Sequence, residues 1–385
     1  MRQIYLDYAA TTPVHPDVLG AMEPFYSSKY GNPSSVHAFG QEAKDAVEHA
    51  RHVVSTALGA HPEEIIFTSG GTESDNFAVK GVAYALTKKG MHIITSAVEH
   101  HAVLETCHFL KDQGYTVTIL PVDRYGKVDP DDVKKAITDQ TILVSIMHAN
   151  NEVGTVQPIK AIGEICRERD VYFHTDAVQS FGVLSTNVDE LNVDLLSISA
   201  HKFYGPKGAG VLYVRKGTRI VPLIHGGGQE WNKRASTHNV PCVVGLGKAV
   251  ELAMLKKDER IAHACELRDS LITSITNRID QVNLNGHPTD RLPNNCHILV
   301  KHIEGEAMLL RLNALGIAAS TGSACSSESI QPSHVLMAMG VSPIDAHGSL
   351  RLTVGRLTTP DDIAYVSDHL PGVVRELRSI SPMAT

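Results

Sequence analysis

The chain has 385 residues, 43% of them hydrophobic and 20% charged, which is enough to bury one large core or two. A formal charge of −7 argues against direct nucleic-acid binding. No apolar run approaches bilayer length, and the N-terminus has neither an apolar signal core nor an Arg-rich leader, so no membrane partner and a cytoplasmic location are expected. The six cysteines are scattered without a Cys-x-x-Cys pair. That pattern suggests neither a zinc ribbon nor a disulfide framework and points to a reducing compartment.

Strand and helix patterns alternate from about Asp17 to about Leu255. Such alternation predicts an α/β fold, an open sheet with helices on both faces and sites at the strand C-terminal ends. The first candidate, Glu64 to Ser74, reads as strand, Gly-rich turn and helix start. Free backbone N–H groups at such a turn bind phosphate, although standing alone it would be read first as an ordinary strand-to-helix connection capped by Ser or Thr. Next, the apolar strand Met91–Thr95 leads into Ser96-Ala97-Val98-Glu99-His100-His101. Either histidine suits acid/base work, but neighbours point in different directions, so only one can face a given site. No third ligand lies at zinc-like spacing, so a metal is discounted. The strand Val171–Thr175 ends at Asp176, a carboxylate able to pair with a protonated pyridine nitrogen or, more simply, to cap a helix. A further apolar run delivers Ser199-Ala200-His201-Lys202 into a Gly/Pro turn. A desolvated lysine there is a nucleophile and Schiff-base partner of the kind pyridoxal 5'-phosphate (PLP) enzymes use. One turn lysine is a weak signal; four such elements at successive strand ends are a strong one. Beyond Lys256-Lys257-Asp258-Glu259-Arg260 a long amphipathic helix begins, and strands such as His297–Val300 follow. The expected division is a large unit over 17–255 and a smaller α+β unit from 1–16 and 256–385.

These motifs resemble the cysteine desulfurases, class V PLP enzymes of fold type I, specifically the long-loop iron–sulfur assembly branch. The resemblance covers nearly the whole chain. It includes Tyr5-Leu6-Asp7-Tyr8-Ala9-Ala10-Thr11-Thr12, Gly70 to Asn76, Asn150-Asn151-Glu152-Val153-Gly154, Asp176 to Gln179, His201-Lys202, Gly226 to Glu230, Gly322 to Ser327 and Leu350 to Arg356. It implies a large domain with a mostly parallel sheet and a smaller domain carrying the nucleophile loop, about 319–345.

Residue by residue, the resemblance implies that Lys202 anchors PLP covalently and moves protons at the substrate α carbon. It makes Asp176 the pyridinium partner, Gln179 the donor to the phenolic oxygen, and His100 the ring-stacking acid/base. Thr72, Ser199 and His201 match phosphate ligands, Gly71 contributes through its backbone, and Thr237 is supplied by the second subunit of a homodimer. Asn151, beside the cofactor, and Arg351 match residues that hold the substrate carboxylate, a task suited to a guanidinium fork. Cys325 resembles the nucleophile that takes sulfur from L-cysteine as a persulfide, in a small, polar, Gly/Ser-rich setting unlike a core position. The other five cysteines read as apolar fillers. One departure stands out: Ser236 replaces the family's glycine before Thr237. The implied partners are L-cysteine and a sulfur-acceptor protein, an iron–sulfur scaffold or a tRNA thiolation enzyme. A selenocysteine lyase or a class V aminotransferase would share Lys202, Asp176 and Thr72, and Cys325 discriminates against the aminotransferase.

Overall fold

The computed structural model describes residues 2–322 and 332–381. Its strands, in chain order, are β1 (Ile4–Tyr5), β2 (Ile65–Thr68), β3 (His92–Ser96), β4 (Thr116–Leu120), β5 (Thr141–Ser145), β6 (Tyr172–Asp176), β7 (Leu195–Ser199), β8 (Gly210–Val214), β9 (Val282–Leu284), β10 (Asn295–Val300), β11 (Ile317–Ala318) and β12 (Ser349–Thr353).

Strands β2 to β8 form one sheet in the order β2-β8-β7-β6-β5-β3-β4. The pairs from β7 to β4 are parallel, while β8 is antiparallel to both β7 and β2. The strict alternation of strand and helix fails here for a local reason. Only a short 3-10 turn, Ala200–Lys202, lies between β7 and β8, and a connection of that kind cannot cross over to a parallel neighbour. Because β2 opposes β8, it points the same way as the parallel group. The ends of β2, β3, β5, β6 and β7 therefore open on one edge.

Both faces of this sheet are covered. Phe67, Ile94, Val144, Phe173 and Leu196 pack on one side, with the helices Ala38–Leu58 and Val240–Leu255. Ile66, Ile93, Leu143, Leu195 and Leu212 pack on the other, with Gly71–Leu86 and His101–Asp112. Two buried faces explain why these strands read as continuous apolar runs rather than alternating ones. A second sheet, ordered β12-β10-β9 and antiparallel, shares a separate core with the helices Lys257–Arg278 and Pro360–Ile380. Ile4 and Leu6 belong to that second core, and β1 pairs in parallel with β11. Among the described residues no helix is long and apolar enough to cross a membrane.

One buried ion pair ties the first core to the loop that follows β8. Arg51, 2% exposed, donates from Nη1 to Glu230 Oε2 at 2.8 Å and from Nη2 to Glu230 Oε1 at 2.7 Å. Its guanidinium lies 4.7 Å from the Phe67 ring centre and 4.5 Å from that of Trp231. Glu230, Trp231 and Asn232 have φ of 47°, 54° and 62°, three left-handed residues in succession without a glycine. Each costs about 1–2 kcal/mol, and the ion pair offsets that cost.

Burial alone would raise the Glu230 pKa, but hydrogen bonds from Arg51 and His238 and the Arg51 charge overcome it and hold the carboxyl at about 2, against 4.5 for a free glutamate. A depressed carboxylate pKa adds stability that is complete above about pH 4.5 and lost as pH falls through about 2. The difference corresponds to roughly 3 kcal/mol. Urea unfolding of Glu230→Gln should show a lower midpoint than the parent at pH 7, and the gap between the two should narrow between pH 4.5 and 2. A gap that stays constant over that interval would mean the pair is not the source.

Candidate active site

The edge at which five strands end brings most of the expected residues together. After β2, Gly70 adopts φ 155° and ψ −179°, and the helix Gly71–Leu86 starts without a side-chain cap, so its first N–H groups face an anion seat. A Cβ on Gly71 would stand 2.9 Å from Val178 Cγ2 and 3.6 Å from Ser199 Cβ, so only glycine fits between them. This close approach sets the Gly71–Thr72 backbone beside Ser199. Glu73 fixes the turn by accepting from the Ser69 N–H at 2.8 Å and from Arg234 Nε at 2.9 Å.

After β3, the fully buried Glu99 accepts from Ser96 Oγ at 2.6 Å and from the Met147 N–H at 3.0 Å, locking this turn to the end of β5. Burial is the main reason its pKa rises to about 8. His100 caps the next helix: its Nδ1 accepts the Ala102 N–H at 3.1 Å, which leaves the ring proton on Nε2. Burial, then the charges of Lys202, His101 and His334, bring its pKa down to about 4. At neutral pH it is therefore an uncharged donor. His101 turns away to pack against His334, their ring centres 4.7 Å apart and their planes tilted by 50°, so the two histidines part company as adjacent residues must.

β6 ends at Asp176, whose Oδ1 accepts the Val178 N–H at 2.8 Å. Turns rather than a helix follow, so the carboxylate is not a helix cap. Burial raises its pKa to about 6, opposed by the Val178 N–H and the charge of Lys202. Asp75, on the helix Gly71–Leu86, is pushed well above the usual carboxylate range by burial and by the Asp176 charge. Asp75 thus keeps its proton, and Asp176 is the member of the pair able to ionise.

Lys202 follows β7, and its Nζ donates to the carbonyls of Ala9 at 2.6 Å and Ala10 at 2.8 Å. Gln179 Nε2 donates to the same Ala9 carbonyl at 2.9 Å, and His201 Nδ1 lies 3.1 Å from Thr11 Oγ1. Burial, then Lys202 and Lys207, lower the His201 pKa to about 4. Arg351, on β12, is 3% exposed; Nη2 donates to Asp7 Oδ1 at 3.0 Å and Nη1 to the Asn151 carbonyl at 2.9 Å. Its Nε has no partner among the described residues. The donor set fits PLP: an anion cradle, a buried carboxylate for a ring nitrogen, a neutral imidazole and an amine.

Two expected residues stand apart. Thr237 is exposed on the loop tied down by Arg234 and Glu73. Cys325 lies outside the described residues. Gly322 is packed so closely that a Cβ there would collide with Glu152 Oε2 and touch His297 Nε2, and Ser333 Oγ donates to the same Glu152 carboxyl. Burial raises the Glu152 pKa to about 7. The carboxylates Asp7, Asp75, Glu99 and Glu152 received no role from sequence. All four lie within motifs already singled out, and the available signal was an acid next to, or a few places from, an assigned residue.

The family model described as Aminotransferase class-V matches residues 4–366, placing this site in a class of PLP-dependent enzymes. Curated relatives include cysteine desulfurase IscS of Dictyoglomus turgidum, 59% identical over 382 residues, or 99% of this chain and 97% of that protein. Cysteine desulfurase IscS of Methanosarcina thermophila is 55% identical over 382 residues, 99% of this chain and 94% of that protein. Among solved structures, a NifS-like protein superposes with a TM-score of 0.92 at 39% identity, covering 98% of this chain and 100% of its own. SspA in complex with cysteine gives 0.82 at 39% identity, covering 93% and 100%. The chain belongs to the PLP-dependent cysteine desulfurases of the class V aminotransferase family.

Ser236 has φ 91°, the left-handed backbone that favours glycine. The family's glycine would sit there unstrained, whereas a side chain costs about 1–3 kcal/mol. Ser236→Gly should unfold at a urea midpoint equal to or above that of the parent, and Ser236→Val well below it. A loss of stability in the glycine variant would show that the serine side chain makes a compensating contact.

Proposed function

We propose that this enzyme converts L-cysteine to L-alanine and receives the sulfur on Cys325 as a persulfide. The observation that supports this most is the meeting of Lys202, Asp176 and His100 at one sheet edge, with Arg351 tied from the second sheet to Asp7 and Asn151, within a chain whose curated relatives are cysteine desulfurases. Bound there, PLP supplies the electron sink that labilises bonds at the substrate α carbon.

The chain's own groups do the rest. The cradle at Gly71, Thr72, Ser199 and His201 holds the phosphate, with Thr237 joining from a second copy of the chain. Asp176 keeps the ring nitrogen protonated by presenting a buried carboxylate, and a cationic nitrogen beside it would draw its pKa down. Gln179 would donate to the cofactor's phenolic oxygen, and Asn151, beside the cofactor, would help hold the substrate carboxylate. His100 lends the Nε2 proton, since burial keeps it neutral. Arg351 takes the substrate carboxylate with the donors that Asp7 and Asn151 leave over. Lys202 anchors the cofactor and moves the α proton. Cys325, having released its proton, attacks the substrate sulfur as thiolate: an S–S bond forms, the C–S bond breaks with its electron pair passing to carbon, and an equivalent proton ends on the carbon that becomes the alanine methyl. No external oxidant or reductant is needed.

The same reading takes 17–255 as the cofactor-binding domain and 1–16 with 256–385 as the small domain. It gives a cytoplasmic homodimer that passes its sulfur to an acceptor protein serving iron–sulfur assembly or tRNA thiolation. Cys325 favours the desulfurase over a class V aminotransferase, and the cysteine desulfurase relatives favour it over a selenocysteine lyase.

Two variants assayed with cysteine, measuring alanine and protein-bound persulfide together, test the reaction. Lys202→Ala should lose covalent attachment of PLP and about 10²–10⁴-fold or more in turnover. Cys325→Ser should keep the cofactor and its spectral response to cysteine, yet make no persulfide and little alanine, because a hydroxyl is scarcely ionised and is a poor nucleophile towards sulfur. Normal turnover in either variant would sink the assignment. The dimer is checked separately by sedimentation: a micromolar sample should run as two chains, and a monomer with full PLP occupancy would contradict the shared cup.

A further inference from the structure

A cavity of about 650 Å³ lies where the turn carrying Lys202 meets the helix Lys257–Arg278 and the segment Val354-Gly355-Arg356. The size falls in the range of small-molecule sites, about 300–1,000 Å³, and the junction of two packed units is a common place for one. Lys202 and Gln179 line it, whereas His100, Asp176, Thr72, Ser199, Asn151 and Arg351 do not, so it adjoins the cofactor cradle and extends away from it.

Two arginines define its chemistry. The guanidinium carbons of Arg260 and Arg356 each lie 5.7 Å from the centre of the Tyr204 ring. Arg260 reaches its position from the helix Lys257–Arg278, with its Nη1 donating to the Ala253 carbonyl at 3.1 Å. Its nitrogens pass close to Gly182, where a Cβ would stand 3.9 Å from both Nη1 and Nη2. The backbone N–H of Arg356 donates to the Tyr204 hydroxyl at 2.7 Å, which brings the second guanidinium over the same ring. Among the described residues neither guanidinium makes an ion pair with a carboxylate, although Asp17 and Glu259 also line the cavity. Burial, and then the charge of Arg356, push the Arg260 pKa below the usual arginine value.

Two cations over one aromatic ring, one of them half-buried, are each attracted to the ring but repel one another. An anion between them removes the repulsion. Tyr204 itself sits at φ 69°, an uncommon backbone for a bulky residue, and the strain is consistent with a ring held in place for a purpose. Lys256, His15 and His263 add positive or protonatable groups around the same space.

We propose that this cavity is a second ligand site, binding the oxyanion group, carboxylate or phosphate, of a small molecule between Arg260 and Arg356. The remaining wall, with Phe181, Leu252 and Ala253, offers an apolar surface to an organic body attached to that group. An occupant would bridge the helix Lys257–Arg278, the segment after β12 and the Tyr204 turn, two residues from Lys202. Neither arginine belongs to the desulfurase machinery set out above, so substituting them tests this site without removing a residue of that machinery.

The test is calorimetric titration of the PLP-loaded enzyme, in which the phosphate cradle is already filled, with inorganic phosphate, phenyl phosphate and benzoate. At least one probe is expected to bind at one further site per chain. Arg260→Gln with Arg356→Gln should weaken that binding about tenfold or more, the scale of losing charge-assisted hydrogen bonds, while PLP content is unchanged. Arg356 is exposed, so Arg356→Gln alone is safe for folding and should weaken binding by a smaller factor. Phenyl phosphate or benzoate binding more tightly than inorganic phosphate assigns an organic ligand; equal affinity assigns a free anion. No binding of any probe at millimolar concentration, or affinity unaltered in both variants, overturns the proposal.

Discussion

The active site depends on a short stretch of chain, Leu6 to His15, that turns at Tyr8–Ala10 and is fastened to both sheets. Its main chain and side chains hold residues from both sides. The Leu6 carbonyl accepts from the Thr353 N–H at 2.8 Å, and the Ala9 N–H donates to Thr353 Oγ1 at 3.0 Å, which fastens the segment to β12. On the other side, the Thr12 N–H donates to the His201 carbonyl at 2.9 Å, and Thr12 Oγ1 accepts the Tyr204 N–H at 2.8 Å. Between these two fastenings lie Asp7 on Arg351 and the Ala9 and Ala10 carbonyls on Lys202. An amine and a guanidinium from different sheets are thus referred to one strip of backbone.

Beneath the site the constraint is electrostatic. Asp75, Glu99 and Asp176 are all buried, and the charge of Asp176 is felt by each of the other two. Three carboxylates in so dry a place cannot all ionise, because each charge would lack the solvent that makes it affordable. The backbone decides among them. Asp176 has both a backbone donor and the Lys202 charge to favour ionisation, whereas, among the described residues, Glu99 has donors from Ser96 and Met147 but no cation acting on it, and Asp75 has an oxygen with no hydrogen-bond partner. Protons therefore collect on Asp75 and Glu99, and negative charge is reserved for the one carboxylate a pyridinium nitrogen would need.

How far the sequence disclosed this depends on chain distance. Lys202, Asp176, His100 and the Gly70–Gly71 turn were legible because each sits within a few residues of a strand end, where short-range rules about glycine, caps and apolar runs apply. The sheet itself was legible as mostly parallel, but the reversal at β8 was not, since it depends on the absence of a crossover helix after β7. The partners that fix the site were hidden for a different reason. Asp7 and Arg351 are 344 positions apart and Arg51 and Glu230 are 179 apart, so no local pattern joins them. Nor does periodicity distinguish Glu152 from a solvated glutamate; its burial against Gly322 and Ser333 exists only in the folded chain.

The cysteines carry the argument one step further, because their surroundings sort them chemically. Burial raises the thiols of Cys107 and Cys296 to about 12, and those of Cys166 and Cys242 also rise. A thiol so placed stays protonated at neutral pH and cannot act as a nucleophile. The two faces of the large sheet that make a stable core thereby silence the cysteines within it: Cys107 under one face, Cys166 and Cys242 under the other. Cys296 is silenced in the same way by the second core. A sulfur-accepting thiolate must stand clear of these cores. The small, Gly/Ser-rich sequence around Cys325 is the composition such a thiolate requires.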